Sequence, residues 1–316
     1  MMPKVSIIVP NYNHAPFLKD RLDSIFCQDF EDYEVILMDD CSTDGSREIL
    51  ESYKDHGKVT QLVLNEKNSG STFRQWKKGI ELAKGEYIWI AESDDVADSK
   101  LVEVLVERLD EDATVGLAYC QSWVINSKSD ITRDNILHTQ GFGAVNWESE
   151  FKMDGRRALV DFLQLKNIIP NASAVMFRKG LVSRVDDVAK FRFAGDWLLW
   201  VEILKQGSLC YFPGRLNYFR YHEQVSRNMN SVDKVSRYLQ ERYKILKAIE
   251  QTDGISRRDL AGGYQKVYKE WNKRIGPRSI FSIQGLSAVL KLTMADPGFL
   301  RQLLRTLTRR IVSPAW

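Results

Sequence analysis

The first 120 residues alternate between short apolar runs and segments with helical periodicity, and this alternation limits the fold more than any other feature. The apolar runs are VSIIVP (5–10), YEVILMDD (33–40), VTQLVLN (59–65), YIWIAES (87–93) and VGLAYC (115–120). Helical patterns lie between and after them, at about 15–28, 46–53, 72–84 and 99–110. Strands separated by helices of this length predict βαβ units and a mostly parallel sheet that helices cover on both faces. We therefore predict an α/β fold.

After this series the pattern becomes less regular and then wholly helical. Few elements are predicted between 121 and 165. The later elements are a strand at 172–177, a helix near 179–188, a helix at 195–207, and short strands at LCYF and LNYFRYH. Beyond about residue 231 only helices are predicted. The sequence thus divides into a large domain over 1–230, long enough to hold a catalytic site, and a basic helical extension over 231–316.

The composition is that of an ordinary folded protein, with 44% hydrophobic and 28% charged residues in 316. Its four cysteines (Cys27, Cys41, Cys120 and Cys210) lie far apart, which favours a reducing compartment over a disulfide or metal-thiolate scaffold. The first residues show no secretory signal, and no apolar stretch reaches the length of about 18 residues expected of a membrane-spanning helix. These features predict a cytoplasmic protein.

The charge is distributed unevenly along the chain. Residues 231–316 carry 17 Lys and Arg against 7 Asp and Glu, whereas residues 1–230 carry 28 against 35. A basic extension on an acidic body predicts that the extension meets an anionic surface. The alternative is that these charges are ordinary solvated helix faces.

Polar clusters follow three of the predicted strands. They are PNYN (10–13), DDCSTD (39–44) and ESDD (92–95). Ligands of open α/β sheets bind at the carboxyl ends of the parallel strands. We therefore expect the three clusters to converge on one pocket.

The third cluster places Glu92, Asp94 and Asp95 directly after an apolar strand. Clustered carboxylates repel one another and resist burial, so a positive partner is expected nearby. A divalent cation is the simplest candidate, and hard oxygen ligands suit Mg²⁺ or Mn²⁺. The alternative is an N-cap for the helix that begins near Ser99, but that role needs only one acid.

Three stretches carry a resemblance to a known family: VSIIVPNYNHAPFLKDRLDSIFCQ, YEVILMDDCSTDGS and NSGSTFRQWKKGIELAKGEYIWIAESDD. In this order and spacing they resemble the N-terminal half of the family 2 glycosyltransferases, which have the Rossmann-like GT-A fold. The resemblance is close over about residues 4–110 and looser to about 226, through FAGDWLLWVEIL and YFRYHEQVS. It implies a nucleotide-sugar donor, a glycan or lipid-linked acceptor and a divalent metal ion.

The resemblance assigns the nucleotide base to the loop residues Pro10, Asn11, Tyr12 and Asn13. Tyr12 offers an aromatic face for stacking, and the asparagines offer hydrogen-bond donors and acceptors. A plain turn is the alternative, because Pro and Asn are turn residues. Asp39 and Asp40 take the position that accepts hydrogen bonds from the base in the family. Asp44 is left to begin the turn or cap the helix near Ser46.

Asn68, Gly70 and Arg74 resemble a further motif of the family, which implies that the Arg74 guanidinium points at the nucleotide. A surface arginine is the alternative. The metal-binding DxD position of the family is taken by Glu92, Ser93 and Asp94, with Asp95 next.

The metal site has two open points. Asp94 or Asp95 is the direct ligand that the resemblance implies, whereas Glu92 departs from the usual first Asp and is a candidate to contact the ribose of the donor or a metal-bound water. His222, in YFRYHEQVS, is a further candidate for the metal or the diphosphate, and a structural role is the alternative. Arg220 is a candidate anion contact.

Asp196 takes the place of the family's general base, although Gly195 stands where the family has Glu. The alternative is that Asp196 caps the helix that GDWLLW begins. Trp197 and Trp200 are candidates to line the acceptor site, with core packing as the alternative. The segment NIIPNASAVMF resembles the acceptor-side segment, and its polar candidates are Asn171 and Ser173.

The last segment, GFLRQLLRTLTRRIVSPAW, has an apolar helical face and a basic one. The apolar face contains Phe299, Leu300, Leu303, Leu304, Leu307 and Ile311, and the basic residues are Arg301, Arg305, Arg309 and Arg310. This pattern predicts an interfacial helix on anionic lipid at the inner face of the cell membrane. A helical subdomain or a contact within a homo-oligomer is the alternative. No groove-reading motif is present, so nucleic acid is not expected as a partner.

The sequence therefore predicts a metal-dependent, inverting glycosyltransferase that moves one sugar from a nucleotide-diphosphate donor to a hydroxyl group. A bacterial surface-glycan pathway, such as that of lipopolysaccharide, is the expected setting. One alternative is a sugar-phosphate nucleotidyltransferase, which would have a glycine-rich loop where this chain has PNYN. Another is a non-catalytic glycan-binding or scaffold protein.

Overall fold

The computed structural model describes residues 2–139, 141–142, 145–221, 229 and 231–312. The chain forms two compact units. The first comprises Met1–Phe162 and Asn167–Val225, and the second comprises Leu163–Lys166 and Ser226–Trp316.

The described part of the first unit contains ten strands and seven α-helices, and a π-helical segment, Ala158–Leu163, follows the fifth of these helices. The strands are β1 Val5–Asn11, β2 Tyr33–Asp39, β3 Val59–Leu64, β4 Tyr87–Ile90, β5 Val96–Ala97, β6 Val115–Ile125, β7 Ile131–Asp134, β8 Phe151–Met153, β9 Val175–Arg178 and β10 Ser208–Arg220. The helices are α1 Ala15–Phe26, α2 Ser46–Ser52, α3 Thr72–Leu82, α4 Leu101–Asp110, α5 Gly155–Arg157, α6 Val185–Val188 and α7 Gly195–Leu204. Short 3₁₀ turns occupy Asn135–His138, Ala172–Ala174 and Lys179–Leu181.

All ten strands belong to one sheet, in the order β3-β2-β1-β4-β9-β6-β10-β5, with β7 paired to β6 and β8 to β10. The strands β3, β2, β1 and β4 run parallel, as do β6 and β10. Between these groups β9 runs antiparallel to both neighbours. This arrangement confirms the predicted α/β fold with a mostly parallel sheet. The register places Asn11 opposite Asp39, so the loops after β1 and β2 begin side by side.

The core lies between the sheet and its helices. Strands β1, β2 and β4 are buried along their whole length, as expected of central strands covered on both faces. Helix α3 packs especially close: a Cβ added at Gly79 would lie 2.4 Å from Cγ2 of Ile8. Glycine at this position therefore lets the helix backbone approach β1.

Two predicted elements differ in the structure. The helix predicted over 179–188 is two short turns, because Arg184 between them has a left-handed backbone with φ of 56°. The two strands predicted at LCYF and LNYFRYH are one strand, β10, whose pairing with β6 shifts register between Phe212 and Asn217. Pro213 and Gly214 lie at this irregularity and interrupt the apolar pattern in the sequence.

The second unit is helical, as the sequence predicts beyond residue 231. Its helices are α8 Val232–Glu250, α9 Ala261–Arg274, α10 Ile283–Ala295 and α11 Pro297–Val312, and a 3₁₀ turn, Pro277–Phe281, precedes α10. Its core includes Leu239, Leu246, Trp271, Phe299 and Leu303. None of the described helices combines the length and the apolar character that crossing a bilayer would require.

Candidate active site

The loops after β1 and β2 are held together by the Asp39 side chain. Asn11 Nδ2 donates to Asp39 Oδ1 at 2.9 Å, and the Ser42 backbone N–H donates to Oδ2 at 2.8 Å. Arg47 Nε also donates to Oδ2, at 3.0 Å. The carboxylate is fully buried, so these bonds compensate its lost hydration. Tyr12 instead exposes 47% of its surface next to these loops, where an aromatic face is available to a base.

Asp40 ties the same region to the segment before α3. Its Oδ1 accepts hydrogen bonds from Asn65 Nδ2, Ser69 N and Gln75 Nε2, each at 2.8 Å. Its Oδ2 accepts one from Ser69 Oγ at 2.7 Å. Both aspartates that were assigned to the nucleotide base are thus buried and accept hydrogen bonds from protein donors. These hydrogen bonds hold the two loops in place. Asp44 accepts hydrogen bonds from Ser46, close to the turn role that the sequence predicts for it.

Two further loop residues have a backbone in the left-handed conformation. Asn13 has φ of 55°, and its Oδ1 accepts a hydrogen bond from the Thr43 backbone at 2.8 Å. Cys41 has φ of 65°, which is rare for a residue other than glycine or asparagine. Pro10 is the penultimate residue of β1. Strained backbones of this kind persist where the surrounding structure holds them and are common at ligand sites.

The Asn68–Arg74 segment lies at the start of α3. Asn68 Nδ2 donates to the Asp40 carbonyl at 3.1 Å, and Asn68 Oδ1 accepts from the Gly70 backbone at 2.7 Å. Gly70 has φ of 78°, so the turn favours glycine. Arg74 is exposed, and its Nη1 donates to the Ser69 carbonyl at 2.5 Å. The guanidinium therefore stands next to the loop that Asp40 holds, accessible to an anion.

The acid cluster follows β4, and its side chains make hydrogen bonds to residues of other elements and loops. Trp76 Nε1 of α3 donates to Glu92 Oε1 at 2.9 Å, so this carboxylate faces α3. Ser93 is buried, and its Oγ lies 2.8 Å from His14 Nδ1 in the loop after β1. Asp95 is buried as well, with Asn171 Nδ2 donating to Oδ2 at 3.0 Å. Asp94 is the half-buried member between them.

Two buried arginines supply positive charge to this cluster. Arg21 of α1 is completely buried, and its Nε donates to the Glu92 carbonyl at 2.8 Å. Arg220, at the end of β10, is 1% exposed; its Nε donates to the Asp94 carbonyl at 2.7 Å and its backbone N–H to Asp95 Oδ1 at 2.8 Å. These two arginines therefore supply part of the positive charge that we expected a metal ion to provide. This burial also removes Arg220 as a contact for a solvent-borne anion.

Burial and mutual repulsion shift the pKa values of the cluster. Burial, with the nearby Asp94 charge, raises the pKa of Glu92 to about 8. The same two causes raise the pKa of Asp95 to about 6, against the opposing effect of Arg21. Burial lowers the pKa of Arg21 to about 10. The site thus concentrates charge in a low-dielectric region, an arrangement typical of functional sites.

The donor set fits a Mg²⁺ or Mn²⁺ ion that takes most of its ligands from a substrate. Within the described ranges no three His, Cys, Asp or Glu side chains are grouped as an all-protein metal cage. Such ions commonly use only one or two carboxylates, with phosphate oxygens and water completing the shell. Asp94 is the more accessible carboxylate for this role, and Asp95 is adjacent. His222 lies outside the described residues.

Asp196 is in the first turn of α7 but does not cap it. The cap position belongs to Ala194, whose side chain makes no capping bond. Asp196 is half-buried, and its Oδ2 accepts a hydrogen bond from Asn167 Nδ2 at 3.1 Å. Gly195 packs against Phe73 of α3, since an added Cβ would lie 2.6 Å from that ring. The glycine that replaces the family's Glu thus brings α7 against α3.

One short segment connects Asp196 to the acid cluster. Asn167 bonds Asp196, Asn171 bonds Asp95, and Ser173 Oγ accepts from the Glu92 backbone N–H at 3.1 Å. Three residues lie between Asn167 and Asn171, so the two Cα atoms lie within about 14 Å of each other. The acid cluster and the candidate base are therefore held by the same short segment of the chain. Trp197 and Trp200 are buried, as core packing requires.

The sequence analysis missed Arg21, Trp76 and Asn167. A signal for Arg21 was present: it lies with Leu18 and Leu22 on the buried face of α1, where a charged residue needs a partner. Trp76 similarly lies on the buried face of α3. Asn167 falls in a segment without periodicity, and no local signal marks it.

Comparison with known proteins decides the family. The model of Glycosyl transferase family 2 matches residues 6–185, more than half of the chain. The chain belongs to glycosyl transferase family 2. This membership confirms the resemblance and disfavours the nucleotidyltransferase alternative.

Several glycosyltransferases are similar to this chain. GlyG of Streptococcus pneumoniae is 35% identical over 122 residues, which cover 38% of this chain and 40% of GlyG. TuaG of Bacillus subtilis, a putative teichuronic acid biosynthesis glycosyltransferase, is 28% identical over 213 residues, or 66% of this chain and 75% of TuaG. The chain thus spans less than half of GlyG and three quarters of TuaG.

The fold has close counterparts among solved structures. The crystal structure of residues 1–349 of Staphylococcus aureus TarS in complex with UDP-GlcNAc superposes with a TM-score of 0.65. The match covers 92% of this chain and 81% of the TarS chain at 17% sequence identity. At this identity the likeness shows the fold, which is GT-A.

Proposed function

We propose that this family 2 glycosyltransferase moves a single sugar from a nucleotide-diphosphate donor to a hydroxyl group of a glycan or lipid-linked acceptor. A UDP-sugar is the first choice of donor, because the TarS structure of the same fold contains UDP-GlcNAc. Bacterial surface-polysaccharide synthesis is the proposed setting, because TuaG is a putative teichuronic acid biosynthesis glycosyltransferase. We place the reaction in the cytoplasm.

One observation carries the proposal: a single segment bonds both the candidate base and the acid cluster. Asn167 holds the Asp196 carboxylate and Asn171 holds Asp95. A transferase needs a group that removes a proton from the acceptor within one sugar's reach of the group that holds the leaving diphosphate. The two asparagines lie within one short segment, which supports assigning both groups to one site.

The donor would bind along the carboxyl edge of the parallel strands. The exposed Tyr12 ring is placed to stack on the base, beside loops that Asp39 and Asp40 hold in shape. Arg74 is the accessible cation for a phosphate oxygen, since its guanidinium is exposed at the start of α3. Asp94, with Asp95 next to it, would hold Mg²⁺ or Mn²⁺. When bound, such an ion neutralises charge on the leaving diphosphate.

In the transfer step, Asp196 takes the proton of the acceptor hydroxyl. The hydroxyl oxygen forms a bond to the anomeric carbon while the bond from that carbon to the diphosphate oxygen breaks. The electron pair of the broken bond leaves with the nucleoside diphosphate. Direct displacement brings the new oxygen in opposite the leaving group, so the anomeric configuration inverts. Base catalysis of this kind contributes about 10²–10⁴-fold to the rate.

The test is nucleoside diphosphate release from a panel of UDP- and GDP-sugars with Mn²⁺. We expect slow UDP release without acceptor, and its loss when a chelator removes the metal. Asp94→Asn should weaken metal-dependent UDP binding, whereas Asp98→Asn, outside the cluster, should not. Binding without release from any donor would support the non-catalytic alternative, and chelator-resistant release would refute the metal dependence.

A further inference from the structure

The second unit exposes an apolar strip along helix α10. Phe281 precedes the helix, and Ile283, Leu286, Leu290 and Met294 follow at helical spacing. Ile283 is 90% and Met294 83% exposed, close to the values of side chains with no neighbours. Exposed apolar residues scattered singly are ordinary, but an aligned strip of this kind marks an interaction surface.

This strip lies in the apolar segment 280–294, next to the α11 face that the sequence predicts as the main lipid contact. The apolar face of α11 was expected to bind lipid, but Phe299 and Leu303 from that face are buried in the helical core. Among the side chains of α11 that the structure describes, Leu300 and Leu304 are the large apolar ones that remain exposed. On α10, Ala288, Val289 and Leu292 are buried in the core. The large exposed apolar side chains among the described residues of this unit therefore lie mainly on α10 and just before it.

The charge of helices α10 and α11 is mostly positive. Helices α10 and α11, residues 283–312, contain five basic residues and one acid. That acid, Asp296, is 2% exposed, and its Oδ1 accepts a hydrogen bond from Arg257 at 2.7 Å. Arg301 and Arg305 are exposed on α11, next to its two exposed leucines. Lys291 of α10 pairs with Asp233 of α8 at 3.9 Å. The two helices therefore present apolar groups and a net positive charge together.

We propose that the α10 strip docks on an anionic lipid bilayer, with the arginines of α11 near the headgroups. The twelve residues from Ile283 to Met294 extend over about 16 Å, too short to cross a bilayer and sufficient to lie in its interface. Positive charge favours anionic lipid over a second copy of the chain, which would bring like charges together. The proposal is independent of the proposed transfer reaction.

The experiment is flotation of the full 316-residue chain with vesicles. Vesicles that contain phosphatidylglycerol should carry the protein, and pure phosphatidylcholine vesicles should carry much less. The double variant Ile283→Ser/Met294→Ser should bind at least about tenfold more weakly. The matched control, Ile131→Ser/Leu137→Ser, changes two exposed apolar residues of the first unit and should bind normally.

A charge variant separates the two contributions. Arg301→Gln/Arg305→Gln should weaken binding to phosphatidylglycerol by about fivefold per arginine. Hydrogen exchange on the unaltered chain gives a second measurement, and α10 should gain protection when the vesicles are added. Absence of flotation, equal flotation of the Ile283/Met294 variant, or a dimer that this variant dissociates without any vesicle binding would each overturn the proposal.

Discussion

Replacing Arg21 by methionine should destabilise the protein strongly through charge. The guanidinium is fully buried beside Glu92, Asp94 and Asp95, and Asp95 is the strongest of the charges that favour its protonated form. Methionine fills similar space without charge. Removing one partner of a buried ionic group typically costs about 3–5 kcal/mol, because the remaining charges lose their compensation. That is a large share of the roughly 5–15 kcal/mol by which domains are stable.

The assay is urea unfolding of four proteins in metal-free buffer: wild type, Arg21→Met, Asp95→Asn and the double variant. If charge is the cause, the double variant should recover part of the loss, with a coupling free energy of roughly 1–3 kcal/mol. Leu18→Ala, a cavity on the same face of α1, is the control and should add to Asp95→Asn without coupling. Additive effects of Arg21→Met and Asp95→Asn would refute the reasoning.

Two further changes test the candidate general base, Asp196, and the packing of helix α7. Asn167→Ala removes the hydrogen bond to Asp196 and should lower kcat by about 10–100-fold while the donor Kd is unchanged, as steady-state and binding measurements would show. Weaker donor binding with unchanged kcat would contradict this positioning role. Gly195→Ala places a Cβ 2.6 Å from the Phe73 ring and should cost about 1–3 kcal/mol in urea unfolding. Gly180→Ala, where an added Cβ meets open space, is the control, and equal losses in both would contradict the close packing.

The sequence predicted the elements whose signals are local. Strands β1 and β2 are continuous apolar runs because both faces of the sheet are covered, and the pattern of α1 follows from its single buried stripe. Strand β10 was divided in two, since Pro213 and Gly214 break its pattern. Its continuity depends on pairing with β6, almost a hundred residues away in sequence, which no local pattern records.

The site was predictable to a similar extent. The loops after β1, β2 and β4 were located because parallel strands end at one edge of a sheet. The internal bonding of Asp39 and Asp40 was not, because their partners depend on side-chain packing between loops. From the sequence, a metal ion alone was expected to neutralise the acid cluster. Arg21 was not expected there, because it approaches the cluster only in the folded chain. The exposed face of α10 likewise depends on which helices pack against it.

The central claim is that Asp196 acts as the base in a site that it shares with the acid cluster. Asp196→Asn, assayed by UDP release from the preferred UDP-sugar and by calorimetry of donor binding, tests it most directly. We predict a fall in turnover of about 10²–10⁴-fold with donor Kd unchanged. Turnover equal to that of the wild type, or loss of donor binding together with turnover, would contradict the claim.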